Sequence, residues 1–116
     1  MKSSSLPKKE RLLNRKDFVN LNRLGKRYRT KHFTVIIKKN RLGLNRLGIT
    51  VGKKIGNAVK RNKVKRLVRE FFRQNKKIFP NDYDIVFVAN KGAEDLIYWE
   101  IKEELGEIIL DKKSYL

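Results

Sequence analysis

The residues best suited to chemistry in this sequence lie in a basic stretch between positions 58 and 79, where the only acid is Glu70. Four of its polar residues follow one another at helical spacing, which puts them on one side of a helix although like charges there repel. A rigid row of guanidinium groups can bind successive phosphates through paired hydrogen bonds. The alternative is a solvated face without a partner. The row is Asn62, Arg66, Arg69 and Arg73, with Lys65 at its flank.

The sequence offers little for catalysis by side chains. It has no cysteine, which excludes a thiol nucleophile, a disulfide and a Cys-based zinc site, and it has one histidine, His32. Metal-free cleavage of RNA typically needs a general acid and a general base, and two-metal cleavage needs clustered carboxylates. The acids of the basic part are scattered. We therefore expect no catalytic residue and no metal held by this chain.

The charge is unevenly distributed along the 116 residues, whose formal net charge is +18. Residues 1–79 hold 26 Lys and Arg against three acids, whereas residues 80–116 hold four against nine. A field of one sign favours a polyanionic partner, and nucleic acid is the usual one. An anionic membrane surface is the rival partner. No apolar run approaches the length of a membrane span and the N-terminus lacks a signal-peptide core, so we expect a cytoplasmic protein without membrane or small-molecule partners.

The first half of the chain predicts one helix and then strands. Residues 1–13 read as a flexible basic arm, and Asn14 as the N-cap of a helix over about 15–23 that ends at Gly25. From position 33 apolar residues alternate with others, which predicts a strand. The segment 40–45 reads as a turn, and the strand over 46–51 as its antiparallel return.

The second half predicts the longest helix, from the N-cap Asn57 to about Ile78, before Pro80. The run 85–89 is apolar throughout, which is typical of a central strand covered on both faces. A last helix over 96–110 would place Ile97, Ile101, Leu105 and Ile108 inside, and Glu100, Glu103, Glu104 and Glu107 in solvent. We expect one domain over 1–116, an α+β sandwich with the order α-β-β-β-α-β-α.

The 25 residues from Arg46 to Glu70, RLGITVGKKIGNAVKRNKVKRLVRE, closely resemble the signature of the bacterial ribonuclease P protein family. Its core, R-N-x-x-K-R-x-x-R-E, is matched without a break. The likeness extends to Asp17 and Phe18, to the strand at Phe33 and to the strand at Ile85, so it covers most of the chain. It implies an unusual left-handed crossover between the strands at 46–51 and 85–89, where general rules favour a right-handed one.

The resemblance also implies a partner and an activity. Proteins of this family assist a catalytic RNA that removes the 5′ leader of precursor tRNA, so the enzyme would be an endoribonuclease whose chemistry belongs to the RNA. We expect the protein to raise precursor affinity and to lower the Mg²⁺ requirement, with Mg²⁺ held mainly by the RNA. The residues expected to bind the catalytic RNA are Arg61, Asn62, Lys65, Arg66, Arg69 and Arg73.

A cleft between the long helix and the sheet is expected, by the same resemblance, to bind the single-stranded leader. Stacking on aromatic rings tolerates any base, as many different precursors require. Each Phe could instead be ordinary core, and the Lys pair a solvated turn. The chain departs from the family at Asn22, usually aromatic, and at Asn90, often Arg. The expected cleft residues are Phe18, Phe33, Arg46, Lys53, Lys54 and Lys91.

Two other functions fit a basic chain of this size. A ribosomal or ribosome-associated protein would bind ribosomal RNA and would not distinguish precursor tRNA from mature tRNA. A DNA-binding module could insert the long helix into a major groove, but the sequence has no dimerisation heptad and no turn-linked recognition helix. The ribosomal protein is the main alternative.

Overall fold

The computed structural model describes residues 6–12 and 14–112 as a four-stranded sheet between helices. Helix α1 packs on one face through Leu21, which meets Ile36 and Val86, and helices α2 and α3 cover the other face. The predicted order of elements is confirmed. The bounds are α1 Arg15–Leu24, β1 Lys26–Arg29, β2 Phe33–Lys39, β3 Arg46–Thr50, α2 Ala58–Gln74, β4 Tyr83–Ala89 and α3 Tyr98–Lys112.

The strand order is β1-β2-β4-β3, so the predicted hairpin between β2 and β3 is wrong. Strand β4 lies between them, antiparallel to β2 and parallel to β3. The composition of β4 explains this position. A strand with an apolar run removes the most apolar surface from water when strands flank both of its edges and helices cover both of its faces. Its predicted central position is confirmed. The link β3–α2–β4 is a parallel crossover, whose left-handedness stays a prediction.

Helix α2 begins as predicted, since the Asn57 side chain accepts a hydrogen bond from the Lys60 backbone N–H at 3.0 Å. Its apolar side, which includes Val64 and Val68, is buried in the core. It ends at Gln74 rather than near Ile78. The Asn75 side-chain amide donates to the Phe71 carbonyl at 2.9 Å, which caps the last turn, and a short 3₁₀ turn follows at Lys76–Ile78.

Helix α3 begins at Tyr98, two residues later than predicted, and leaves Ile97 56% exposed instead of in the core. Ile101, Leu105 and Ile109 are buried against α2 and the sheet. Within the part of the chain that is described, no helix is long and apolar enough to cross a membrane.

Glu104 is not on the solvent side of α3 as predicted. Its carboxylate accepts hydrogen bonds from the Thr30 hydroxyl and from the His32 backbone N–H, the latter at 2.6 Å. It also contacts Nδ1 of the His32 ring at 2.8 Å. Burial favours the neutral acid, but these hydrogen bonds outweigh it and lower the pKa of Glu104. The carboxylate therefore fastens α3 to the β1–β2 connection.

The segment before α1 is folded where it is described. Leu6 and Leu12 are 4% and 3% exposed, and the Leu12 N–H donates to the Leu47 carbonyl at 2.9 Å. The expected flexible arm over 1–13 therefore does not apply to residues 6–12, whose two leucines bury apolar surface against the sheet. Positions 1–5 and 13 lie outside the described residues. The predicted N-cap is confirmed, since the Asn14 side chain accepts from the Lys16 N–H at 2.8 Å.

Candidate nucleic-acid interface

A groove of about 160 Å³ lies between α2, β3 and α1. Its lining includes the Phe18 ring and three cations, Lys65 and Arg69 of α2 and Arg11 of the segment before α1. The Phe18 ring can approach β3 closely because the strand has a glycine at this position: a Cβ at Gly48 would stand 2.8 Å from the ring Cζ. The sequence analysis missed Gly48 as a site residue, although a glycine inside a strand indicates close approach by a neighbour.

The basic residues of α2 divide into two rows. Arg61, Lys65 and Arg69 recur every four residues, and the last two of them line the groove. Asn62 and Arg66 are exposed on the adjacent, outer side of the helix, where Lys65 and Arg69 line a shallow depression together with them. None of the five side chains makes a hydrogen bond or ion pair with any residue that the structure describes, so their donors are free for an external anion.

Arg73 differs from the rest of the predicted row. Its guanidinium forms an ion pair with Glu70 at 3.1 Å, one turn earlier on α2. The side chain is only 30% exposed, and its Nε is buried without a hydrogen-bond partner. Arg73 therefore adds less available charge to the helix surface than Arg66 does.

Arg46, predicted to contact the leader, is occupied by partners within the fold. Its Nε and one terminal nitrogen donate to the two oxygens of buried Asp84 at 2.8 and 2.7 Å. The other terminal nitrogen reaches Asp17 of α1 at 3.1 Å. The hydrogen bond to Asp84 is the main cause of the raised pKa of Arg46. This guanidinium ties α1 to the sheet beside Phe18 and positions that ring.

Three lysines predicted to bind the leader lie beyond the carboxyl ends of two neighbouring strands, at one edge of the sheet. Lys53 and Lys54 lie in a 3₁₀ turn after β3, and Lys91 follows β4. Because β3 and β4 are parallel, their carboxyl ends meet at the same edge, just beyond the groove. All three lysines are exposed. The structure thus extends the positive charge of the groove along the sheet edge.

Phe33 does not reach the groove. Its side chain is 0% exposed and belongs to the core beneath α2 and α3, on the face of the sheet opposite Phe18. Alternation along β2 explains the difference, because Phe33 shares a face with Val35, whereas Ile36 faces Phe18. The core interpretation therefore applies to Phe33.

Metal-ligand clusters are not found in the part of the chain described, where no three His, Cys, Asp or Glu side chains stand close enough to hold an ion. The buried Asp84 carboxylate is bound to Arg46 instead, and the half-buried Glu104 carboxylate is bound to Thr30 and His32. What the interface can do chemically is bind phosphates and stack bases.

The chain is similar to known proteins over most of its length. A family model described as Ribonuclease P matches residues 6–113. The ribonuclease P protein component of Syntrophus aciditrophicus is 47% identical over 109 residues, which are 94% of this chain and 92% of that protein. The solved ribonuclease P protein of Thermotoga maritima is 38% identical with a TM-score of 0.81, covering 88% of this chain and 96% of its own. That of Staphylococcus aureus is 35% identical with a TM-score of 0.79, covering 88% and 93%. The chain belongs to the ribonuclease P protein family.

Proposed function

We propose that this chain acts as the protein component of a bacterial ribonuclease P, in which a catalytic RNA removes the 5′ leader of precursor tRNA. The observation that carries the proposal is the groove, which the Phe18 ring lines together with Lys65 and Arg69, while these two cations also border Asn62 and Arg66 on the outer side of the same helix. One helix thus offers two adjacent sets of donors. Two RNA segments can bind side by side on this face of the protein.

The groove is the proposed site of the single-stranded leader. A ring at its floor can stack on any base, and cations at its wall can neutralise phosphates without reading the sequence. Lys53, Lys54 and Lys91 continue this charge at the adjoining edge. Lys65 and Arg69, expected from the resemblance to bind the catalytic RNA, border both the groove and the outer side of α2, and they are proposed to contact the leader as well as that RNA. Phe33 and Arg46 are left out of the leader site because the fold engages them.

The outer side of α2 is the proposed site of the catalytic RNA. Arg66 presents an unpaired guanidinium, and Asn62 presents a neutral amide that can bind a 2′-hydroxyl, a phosphate or a base edge. Arg61 continues the pattern at the N-terminal end of the helix. The apolar underside of α2 holds these groups on a rigid element, so binding orders no loop.

The effect on catalysis is proposed to be electrostatic. Cations placed between two RNAs lower their mutual repulsion and so raise precursor affinity. Less Mg²⁺ is then needed to hold the complex, and the ions stay with the RNA. Adding the protein to the catalytic RNA should restore cleavage of precursor tRNA at a low Mg²⁺ concentration where the RNA alone is inactive. Absence of any rescue would contradict this effect.

The proposed leader site is tested with Phe18→Ala and Phe18→Leu in the reconstituted holoenzyme. Loss of stacking should weaken precursor tRNA binding by roughly tenfold and leave mature tRNA binding unchanged, since stacking contributes ~1–3 kcal/mol per base. Phe18→Leu is the matched control for packing, because Leu keeps apolar contact with the buried cluster that includes Leu21 and Val86. Leu should restore stability and leave leader affinity low. Equal binding of both tRNAs by the unmodified protein, with tight binding to ribosomal RNA, would instead indicate the ribosomal function.

A further inference from the structure

A second groove, of about 520 Å³, runs along α3 where that helix meets the end of α2. We call it the α3 groove. Its lining includes Phe71 of α2 and Ile78 of the short turn that follows. None of the residues proposed to bind RNA lines it, so it belongs to a separate surface of the molecule. Its members on α3 are Trp99, Lys102, Glu103, Gly106, Glu107 and Leu110.

Two large apolar side chains of the α3 groove are exposed to solvent. Trp99 is 66% exposed and Leu110 is 58% exposed. They lie about 16 Å apart along the helix axis, with the groove between them. The Tyr98 ring packs at an angle against Trp99 with the ring centres 5.4 Å apart, and the Lys102 ammonium lies 5.3 Å from the Trp99 ring centre. A ring held in this way loses little freedom when a partner covers it.

A glycine in the middle of α3 keeps the α3 groove open. A Cβ at Gly106 would stand 3.9 Å from the Phe71 ring and 4.0 Å from Ile78, which is ordinary van der Waals distance. The fold therefore has room for a side chain at a helical position where glycine is unfavourable. Packing among the described residues gives no reason for this glycine, whereas a partner side chain that enters the groove does.

Two acids of the α3 groove lack the cationic partners that other acids of the fold have. The Glu10, Asp17 and Glu70 carboxylates are each paired with a Lys or Arg. Glu103 and Glu107 are exposed, and within the described ranges neither forms a hydrogen bond or an ion pair, although the chain holds 30 Lys and Arg. Charge complementarity therefore favours a partner that brings its own cations to this groove.

We propose that the α3 groove binds a basic amphipathic helix of another protein. Large apolar side chains of that helix fill the space between Trp99 and Leu110, as in other helix-in-groove contacts. Its Lys or Arg side chains pair with Glu103 and Glu107. A polyanion would be repelled by these acids, and a second copy of this chain would bring the same acidic surface against them, because a two-fold contact uses one surface twice.

Trp99 is the only tryptophan of the chain, so its fluorescence reports on the α3 groove. The probe is a synthetic helical peptide of leucine and lysine, with the leucines on one face. Added to the full chain without RNA, it should shift the Trp99 emission to shorter wavelength as the ring leaves water. An otherwise identical peptide with glutamate for lysine should cause no shift. No shift at about 1 mM lysine peptide, where even a weak contact forms, would overturn the proposal.

The charge part of the proposal is tested with Glu103→Gln and Glu107→Gln together, which should weaken peptide binding by roughly two- to tenfold. The matched control is Asp82→Asn with Asp95→Asn. It removes the same charge outside the α3 groove, and the φ of 67° at Asp82 is tolerated by Asn. This control should bind the peptide as the unmodified protein does. Equal losses in both variants would indicate a general effect of net charge and would overturn the proposal.

Gly106→Leu tests the space itself, because the new side chain would occupy the α3 groove. Leucine favours a helix more than glycine does, so the unfolding temperature should stay the same or rise while the peptide-induced shift is lost. A retained shift would contradict the proposal.

Two other occupants give distinct results without peptide. A shift of Trp99 emission that grows with protein concentration would identify a second copy of the chain. Emission already at short wavelength in dilute protein would identify another segment of the same chain. Either result would overturn the proposed partner.

Discussion

The charged residues on the outer face of α2 have different surroundings from the charged residues that join one secondary-structure element to another. Arg66 and Arg69 have no hydrogen-bond or ion-pair partner among the residues described. The Arg46 guanidinium is hydrogen-bonded to Asp84 and Asp17, and the Glu104 carboxylate accepts from three donors. Both regions use the same residue types, but only the first leaves donors available.

The difference teaches how to separate charges that bind a partner from charges that hold the protein together. An unpaired guanidinium on a rigid helix is available to an external phosphate, whereas a guanidinium such as that of Arg46, whose three nitrogens each donate to a carboxylate, adds little to binding. Changes in the first region should therefore affect RNA binding and spare stability. Changes in the second should do the reverse.

The largest expected effect follows from replacing Arg61, Arg66 and Arg69 together by Ala. Binding to the catalytic RNA should weaken by about a hundredfold or more, and the salt dependence should flatten by about two to three units as phosphate contacts are lost. The unfolding midpoint should stay the same or rise slightly, because like charges at helical spacing are removed. Affinity measured at several salt concentrations, with thermal unfolding of the free protein, checks both parts.

The matched control for this variant lies on α3, where Glu103 and Glu107 are exposed. Glu103→Gln with Glu107→Gln changes the charge of a helix on the same side of the sheet and should not weaken assembly. Unchanged RNA affinity in the arginine variant would contradict the division between the two regions.

The next effect is on stability. Arg46→Ala leaves the buried Asp84 carboxylate without its partner and should lower the free energy of unfolding by about 2–3 kcal/mol. Arg46→Lys keeps the charge but cannot form the paired contact, so it should recover part of the loss. Urea unfolding measures both. If Arg46→Ala proved as stable as the unmodified protein, the contacts at 2.7 and 2.8 Å would not support the fold.

The smallest effect depends on pH. The pKa of Glu104 is lowered below its usual 4.5 in the folded protein, so its carboxylate stabilises the fold above that pH and loses this contribution as the pH falls through the lower, folded value. Glu104→Gln should cost on the order of 1 kcal/mol at neutral pH, because the site is partly exposed and screened.

The test is the difference in unfolding free energy between the unmodified protein and Glu104→Gln, measured by urea unfolding from neutral pH down to below 4.5. Other acids contribute equally to both proteins, so the difference isolates Glu104. It should shrink towards zero in acid. A difference that stayed constant with pH would show that the Glu104 charge does not matter and that only its shape does.

Local patterns predicted the elements of this protein well and their pairing poorly. The caps at Asn14 and Asn57 and the central place of β4 followed from residue types a few positions apart. The false hairpin came from treating neighbours in sequence as neighbours in the sheet. β4 instead enters between β2 and β3 from more than thirty residues away along the chain, a pairing that no local pattern contains.

The candidate site was predicted in the same uneven way. The exposed cations of α2 could be recognised because their spacing and the near absence of acids are visible in one segment. Phe33 was misplaced because Phe is equally suited to a core and to a stacking platform, and the face of β2 on which it lies depends on what α1 covers. Gly48 was missed because its value depends on Phe18, thirty positions earlier.

The sequence by itself determined that this chain forms a small α+β domain with a long basic helix, because capping, periodicity and charge act over a few residues. Only the tertiary structure decided which charges stay available for a partner. Whether Arg46 or Glu104 meets water or a counter-group depends on Asp84 and His32, which lie 38 and 72 positions away along the chain. Long-range packing brings such groups together, and hydrogen bonding over less than 3 Å then settles their role.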